Sequence, residues 1–289
     1  MAVASEKTEI ARSIADARKR VAAARRAGRD VALVPTLGAL HAGHMSLIDA
    51  AKKSGAYTVV SIFVNPTQFG PNEDLAAYPR TPQRDLSACA EAGVEIVFTP
   101  VAAEMYPPGD QTRVQPGPLA DALCGPFRPG HFRGVCTVVA KLFQIVQPDA
   151  AYFGRKDAQQ ALIIERMVTD LCMPVKIVTC PLIRDADGLA LSSRNVRLGA
   201  EDRAEALCLY RALKRAETLL KGGSRSTGSI IAEMRREISP RADVKVDYLS
   251  IVDPQTLEPI GGSARRALVA GAIRIGGVRL IDNLLVDMG

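Results

Sequence analysis

The chain has 289 residues, 47% hydrophobic and 24% charged, with 37 basic against 31 acidic side chains and a net charge of +6. That length predicts two domains or one large α/β domain with a sizeable core, and the balanced mixture excludes a disordered chain or a collagen-like repeat. The positive balance suits an anionic partner, whether nucleic acid, a membrane surface or a phosphorylated small molecule, and does not choose among them.

Residues 1–30 carry charges from Glu6 onward and build no continuous apolar stretch, so neither a signal peptide nor a membrane span is expected and the location is read as cytoplasmic. Lys19, Arg20, Arg25, Arg26 and Arg29 alternate with Ile14, Val21 and alanines at helical spacing, the pattern of a solvated helix face. Apolar runs then predict strands at 31–34, 57–63, 95–98, 150–153 and 175–179, separated by helical patterns at about 44–54, 81–92, 134–146 and 157–172. Repeated strand–helix–strand order predicts an α/β fold, a Rossmann-like doubly wound parallel sheet. After Asn195 the order changes to helices at 200–221 and 226–237 and short strands at 244–251, 266–271 and 276–281. The expected organisation is therefore a first domain over 1–183 and a smaller α+β C-terminal domain over 184–289. The six cysteines, Cys89, Cys124, Cys136, Cys172, Cys180 and Cys208, form no C-x-x-C pair and are expected to be reduced and mostly buried.

Four polar runs leave the C-terminal ends of predicted strands: PTLGALHAGH, NPTQFGPNED, GRKDAQQ and RDADGLALSSRN. Open parallel sheets place their ligand crevice at those ends, so the runs are expected to converge on one site. In the first run, Gly38 and Gly43 allow a tight turn, and a helix starting near Gly43 is expected to aim unpaired N–H groups and its positive dipole end at an anion such as phosphate. His41 and His44, three apart at that helix entry, lie on one face and can donate hydrogen bonds to phosphate oxygens as charge builds. A metal site is disfavoured, because no third ligand lies close and the metalloprotease glutamate is absent.

The H-x-G-H turn resembles the signature of the nucleotidylyltransferase superfamily, whose members bind ATP there and attack its α-phosphate. The wider set PTLGALHAGH, SIFVNPTQF, YPRT, RPGHFRGV, YFGRKDAQQ and DGLALSSRN, with weaker echoes in VDYLSI and LIDN, resembles the pantoate–β-alanine ligase (pantothenate synthetase) family. The resemblance implies a two-step ligation. Pantoate attacks the α-phosphate of ATP to give pantoyl adenylate and pyrophosphate, then the amine of β-alanine attacks the acyl carbon and releases AMP. Mg2+ is implied as the counterion of the ATP phosphates. A homodimer is implied too, with no nucleic-acid or membrane partner, and the C-terminal domain is expected to close over the site.

Carried onto this chain, the resemblance assigns ATP contacts to Leu37, Gly38, Ala39, Leu40, His41, Ala42, Gly43 and His44, with His44 and His41 donating to the phosphates. Gly154, Arg155, Lys156 and Asp157 follow, Lys156 on the triphosphate and Asp157 on the ribose. Ile183 is expected to offer main-chain groups to adenine, and Leu191, Ser192, Ser193 and Arg194, read as a mobile loop, to meet phosphate oxygens. Gln68 and Gln160 are assigned to pantoate, with Asn65 a weaker candidate. Arg128, His131 and Arg133 either extend the positive site or support its wall. Asp85 is read as a helix-dipole partner before a magnesium contact, and no protein metal ligand is assigned. Leu37 and Thr67 stand where the family commonly has methionine. Arg155 and Ala158 replace the glutamate and aromatic of its G-E-K-D-[YF]-Q-Q run, which bears on ATP affinity.

Rival readings predict other features. A nucleotidylyltransferase acting on another small carboxylate or a phosphate ester shares the histidine turn but has no call for the paired glutamines. A nucleic-acid binder fits the charge but not the absence of tryptophan and of any RNA- or DNA-binding module. An oxidoreductase lacks its G-x-G-x-x-G after the first strand.

Overall fold

The computed structural model describes residues 8–71, 73–238, 240–241 and 243–288. Contacts divide the chain into two units, one holding residues 1–116, 128–155 and 163–181, the other 117–127, 156–162 and 182–289.

The first unit carries a six-stranded, wholly parallel sheet. Its strands are β1 (Glu9–Ala11), β2 (Val31–Thr36), β3 (Tyr57–Ile62), β4 (Ile96–Phe98), β5 (Ala150–Gly154) and β6 (Lys176–Cys180), in the spatial order β1-β4-β3-β2-β5-β6. VALVPT and YTVVSI are β-branched runs buried nearly throughout, as strands covered on both faces require. Helices α1 (Ile14–Arg26), α2 (Ala42–Lys53), α3 (Pro82–Glu91), α4 (Ala102–Met105), α5 (His131–Val146) and α6 (Ala158–Asp170) connect them. In α1 the buried residues Ala17, Val21 and Ala24 recur at helical spacing, and Ser13 caps the start by accepting from the Asp16 N–H at 3.2 Å. The order runs outward from β2 through β3 and β4, then returns to β5 on the other side of β2. The topological switch, and with it the crevice of such a sheet, lies at the C-terminal ends of β2 and β5.

The second unit packs α7 (Ala200–Lys221) and α8 (Thr227–Glu237) on an antiparallel sheet of β7 (Lys245–Val252), β8 (Arg266–Ile275) and β9 (Val278–Asp287). Leu209, Leu213, Ile230, Met234 and Ile273 are buried in its core.

The five strands expected in the first part form within a residue or two of their predicted places. Other features differ from the expectation, and the strands expected at 266–271 and 276–281 run on to Ile275 and Asp287. β1 lies outside the predicted strands. The last strand starts at Val278 instead of 276, because Gly276 and Gly277, at φ 53° and 72°, make the two-residue turn between the paired Ile275 and Val278. The single cut expected near residue 183 also leaves out two crossing segments. Residues 117–127 and 156–162 pack with the second unit, where Ala158 and Leu162 join the apolar cluster of Val252, Leu257 and Leu268. Gln159, 5% exposed, fastens them by accepting from the Cys124 N–H at 3.0 Å and donating to the carbonyls of Leu119 and Ala122. Five cysteines are buried and Cys172 is exposed, all as free thiols.

Candidate active site

In the first unit the turn after β2 is held from below by one carboxylate. Gly38 (φ 84°) and Ala39 (φ 50°) are successive left-handed residues, a geometry that gathers consecutive N–H groups into an anion-binding concavity. The anion is the protein's own. Asp85 of α3, 1% exposed, accepts from the N–H of Ala39 at 2.9 Å and of Leu40 at 2.8 Å, and from the Thr81 hydroxyl at 3.0 Å. Position 38 favours glycine, since its φ of 84° strains any other residue and a Cβ there would crowd Ile62 Cγ2 at 3.0 Å and the Asp85 carboxylate at 3.1 Å.

His41 caps α2. Its Nδ1 accepts from the Gly43 N–H at 3.1 Å, while the His41 N–H points at Nδ1 of His44 over a long 3.4 Å. The two imidazoles thus form a capping box, in the places usually taken by Ser or Thr and Glu. A backbone N–H only donates, so each Nδ1 presents its lone pair and each ring carries its proton on Nε2. The ring centroids are 4.1 Å apart. Several N–H groups of this turn and helix start are thus already bonded within the protein. The N–H groups of Gly38, Ala39, Leu40, His41 and Gly43 donate to Thr36, Asp85, His44 and His41, and with a lone pair at each Nδ1 the donor nitrogen of each ring is Nε2.

Asn65 and Gln68 follow β3. Asn65, fully buried, accepts from the Thr67 N–H and hydroxyl and from the Tyr106 hydroxyl (2.8 Å), and donates to the Gly134 carbonyl and to Gln68 Oε1 at 3.0 Å. It is a scaffold residue, not the substrate contact it is a candidate for in the sequence. Because Asn65 occupies the Gln68 acceptor oxygen, the Gln68 amide offers its NH2, a donor suited to a carboxylate or hydroxyl oxygen. Arg128 and His131 support this wall: Arg128 pairs with Glu73 at 2.7 Å and meets His131 Nε2 at 2.8 Å, and His131 Nδ1 lies 2.8 Å from the Gln68 carbonyl. Burial alone raises the Glu73 carboxyl, but the Arg128 hydrogen bonds and charge outweigh it and leave Glu73 below the ordinary carboxylate range. Arg133 makes no comparable contact with Gln68 among the described residues; its guanidinium lies near Gly130. Gly154 ends β5 with open space where a Cβ would project, and Arg155 closes the first unit's share of the GRKD run.

In the second unit, Lys156 and Asp157 lie on a 3-10 turn over Arg155–Asp157, with Lys156 Nζ 3.8 Å from the Asp157 carboxylate. The Lys156 carbonyl accepts from Asn283 Nδ2 at 3.0 Å. Next to it in β9, Asp282 holds Arg184 through two contacts of 2.6 and 2.8 Å, and Arg184 stacks 4.1 Å over the Tyr210 ring. Burial, the larger influence, keeps the Asp282 carboxyl above its ordinary value despite Arg184. Residues 184–191 form a tight hairpin: Arg184 bridges Ala190, and the Leu191 N–H donates to the Ile183 carbonyl at 3.1 Å. Arg203 ties down Asp185 and Asp187. Ser192 caps a 3-10 helix over Ser193–Arg197 by accepting from the Arg194 N–H, and Ser193 is buried. The run Ser192–Arg194 thus follows a hairpin and opens a capped 3-10 helix. Lys156, Ser192 and Asp282 help line a cavity of about 10 Å³, with room for one water. Gln160, at the start of α6, belongs to this unit.

Sequence reasoning names Asp85 only as a helix-dipole partner and not as the support of the histidine turn, and it does not single out Asp282 under the hairpin or Asn283 under Lys156. The LIDN motif is the available signal for two of them, since its last two residues are the clamp.

An open parallel sheet with two imidazoles at the turn from β2 into α2, beside its topological switch, defines an α/β fold with a site suited to an anionic ligand. The family model for pantoate-beta-alanine ligase matches residues 9–285. A pantothenate synthetase of Moorella thermoacetica is 52% identical over 280 residues, 97% of this chain and 99% of the relative. The crystal structure of the pantothenate synthetase of Thermus thermophilus superposes with a TM-score of 0.90 at 46% identity, over 96% of this chain and 98% of that one. The Francisella tularensis pantoate-beta-alanine ligase, solved in complex with beta-gamma ATP and beta-alanine, gives 0.80 at 35% identity, over 96% and 97%. The chain belongs to the pantoate–β-alanine ligase family.

Proposed function

We infer that this chain joins pantoate to β-alanine at the expense of ATP, releasing pantothenate, AMP and pyrophosphate. The observation that carries the reading is the match over nearly the whole chain, supported by the histidine pair at the turn after β2, beside the switch point of the sheet.

In the first step a pantoate carboxylate oxygen forms a bond to the α-phosphorus, and the bond from that phosphorus to the bridging oxygen of pyrophosphate breaks. Gln68, its acceptor filled by Asn65, donates to pantoate through its NH2, and Gln160 serves the same substrate. The Nε2–H groups of His41 and His44 donate to the phosphate oxygens, where negative charge grows on the departing pyrophosphate. Lys156 adds a compact positive charge on the triphosphate, Asp157 bonds the ribose, and Ser192, Ser193 and Arg194 act on the phosphates. In the second step the β-alanine amine attacks the acyl carbon, AMP departs with the bonding pair, and the amine loses a proton.

Magnesium enters this reading as part of Mg-ATP. Among the described residues no group of three or more His, Cys, Asp or Glu side chains could hold a metal, and both Asp85 oxygens are engaged within the protein. A homodimer in the cytoplasm completes the reading; among the described residues no helix is long and apolar enough to cross a membrane.

The test is mass-spectrometric product analysis after incubation with Mg-ATP, pantoate and β-alanine, omitting each in turn. Pantothenate and free AMP are expected only when all are present. An adenylylated product with no free AMP would overturn the reading in favour of a nucleotidylyltransferase.

A further inference from the structure

The RPGHFRGV run is one of the motifs of the chain, yet none of its side chains has a part in the two chemical steps. Its contacts converge on one peptide. Gly134 packs so close beneath the Gln68 loop that a Cβ on it would lie 2.7 Å from Gln68 Cα. One turn earlier on the same face of α5, His131, 8% exposed, meets the Gln68 carbonyl through Nδ1 at 2.8 Å. The carbonyl can only accept, so this nitrogen carries the ring proton. Nε2 must then accept, and what faces it at 2.8 Å is Arg128 NH1, which can only donate. Arg128 is fixed in turn by the Glu73 carboxylate, at 2.7 Å to both Nε and NH2, a fork that leaves the guanidinium little freedom. Each link selects the next: Glu73 orients Arg128, Arg128 selects the His131 tautomer, and His131 holds the carbonyl of Gln68.

We propose that Glu73, Arg128 and His131 are positioning residues that fix the main chain of Gln68 and so set the enzyme's affinity for pantoate. The proposal rests on Gln68 being a pantoate-binding residue. Asn65 fixes the side-chain amide of Gln68, while the relay fixes the peptide from which that amide springs. Misplacing a binding group by about 1 Å is enough to weaken a productive complex strongly. None of the three touches the nucleotide in this scheme.

The experiment is a double-mutant cycle on the pyrophosphate-releasing half-reaction, with the KM for pantoate and for ATP measured separately. The variants are Glu73→Gln, His131→Phe and Gln68→Ala, and each of the first two combined with the third. Glu73→Gln keeps the size of a half-buried side chain and so tests the relay even if His131→Phe folds poorly. Glu73→Gln and His131→Phe are expected to raise the KM for pantoate about tenfold and leave that for ATP within about twofold. Neither is expected to add to the defect of Gln68→Ala, because groups that act through one residue are not additive with its loss. A parallel rise in both KM values, an unchanged KM for pantoate in Glu73→Gln, or full additivity with Gln68→Ala would overturn the relay. An unchanged KM for pantoate in Gln68→Ala alone would instead overturn the assignment of Gln68 on which the relay rests.

Discussion

The two units solve the same problem, holding a polar loop, with one buried aspartate each and in different ways. In the first, Asp85 binds main-chain N–H groups, so it fixes the path of residues 39 and 40 whatever side chains they bear. In the second, Asp282 binds a side chain, Arg184, and through it the hairpin that leads to Ser192 and Arg194. Two peptide dipoles in a left-handed turn satisfy a carboxylate without burying a second full charge. An arginine brings that charge with it, and the desolvation of both ions offsets much of their attraction. A loop held by its backbone keeps its geometry through side-chain change, whereas a loop held by an ion pair depends on both partners.

The largest effect tests the groups that Asp85 sets in place. His44→Ala removes one Nε2–H donor, and pyrophosphate release with pantoate is expected to fall by about 10²- to 10³-fold, the usual cost of losing a preorganised donor to developing charge. A near-normal rate would take His44 out of the first step. Asp85→Asn comes next. The amide keeps one acceptor oxygen but turns an NH2 toward a backbone N–H, so a charge-assisted bond of about 1.5–3 kcal/mol is lost and a donor is left facing a donor. A fall of about tenfold to a hundredfold in kcat is expected, together with a lower Tm. Asp282→Asn leaves the Arg184 guanidinium without its counter-charge, so its main cost is expected in Tm; in catalysis it is expected to be milder, within about tenfold in kcat/KM for ATP, since the amide oxygen still accepts from Arg184 and holds the hairpin. Equal losses in the two variants would break the distinction between backbone and side-chain anchoring.

Legibility in the sequence follows the same division. The strands VALVPT and YTVVSI can be read because parallel strands buried on both faces must be apolar nearly throughout. β1 cannot: Glu9–Ala11 is three residues long, two of them exposed, and becomes a strand only by pairing with Ile96–Phe98. The histidine turn is legible as chemistry because histidine is rare in this chain. Its support is not, since the partners of Asp85 are peptide N–H groups 45 and 46 residues earlier, and main-chain partners leave no mark in a sequence. The same holds for the two adjacent glutamines of α6. Gln159 and Gln160 read alike, yet Gln159 is buried and bonded to three main-chain groups of the 117–127 segment. Asn65 ranks below Gln68 for substrate contact in the sequence, and its full burial shows why: it orients the glutamine that remains able to donate outward.

The smallest effect separates burial from pairing. Glu73 and Asp282 are both carboxylates held by arginine, yet Glu73 lies below its ordinary value and Asp282 above. The Asp282 side chain is 4% exposed against 21% for Glu73, so desolvation wins at Asp282 and the arginine wins at Glu73. The signs of the pH dependence are then opposite. Glu73 contributes stability that is fully present above the unfolded carboxylate value of about 4 and is lost as pH falls through its depressed folded value. For Asp282 the protonated form is favoured on folding, so its contribution is fully present below about 4 and is lost as pH rises through the raised folded value. Unfolding midpoints measured from about pH 3 to about pH 7, an interval that spans the carboxylate titration, should show the advantage of wild type over Glu73→Gln growing with pH. The advantage over Asp282→Asn should shrink with pH over the same interval. Slopes of the same sign would mean that the arginine governs both carboxylates and that depth of burial does not distinguish the two anchors.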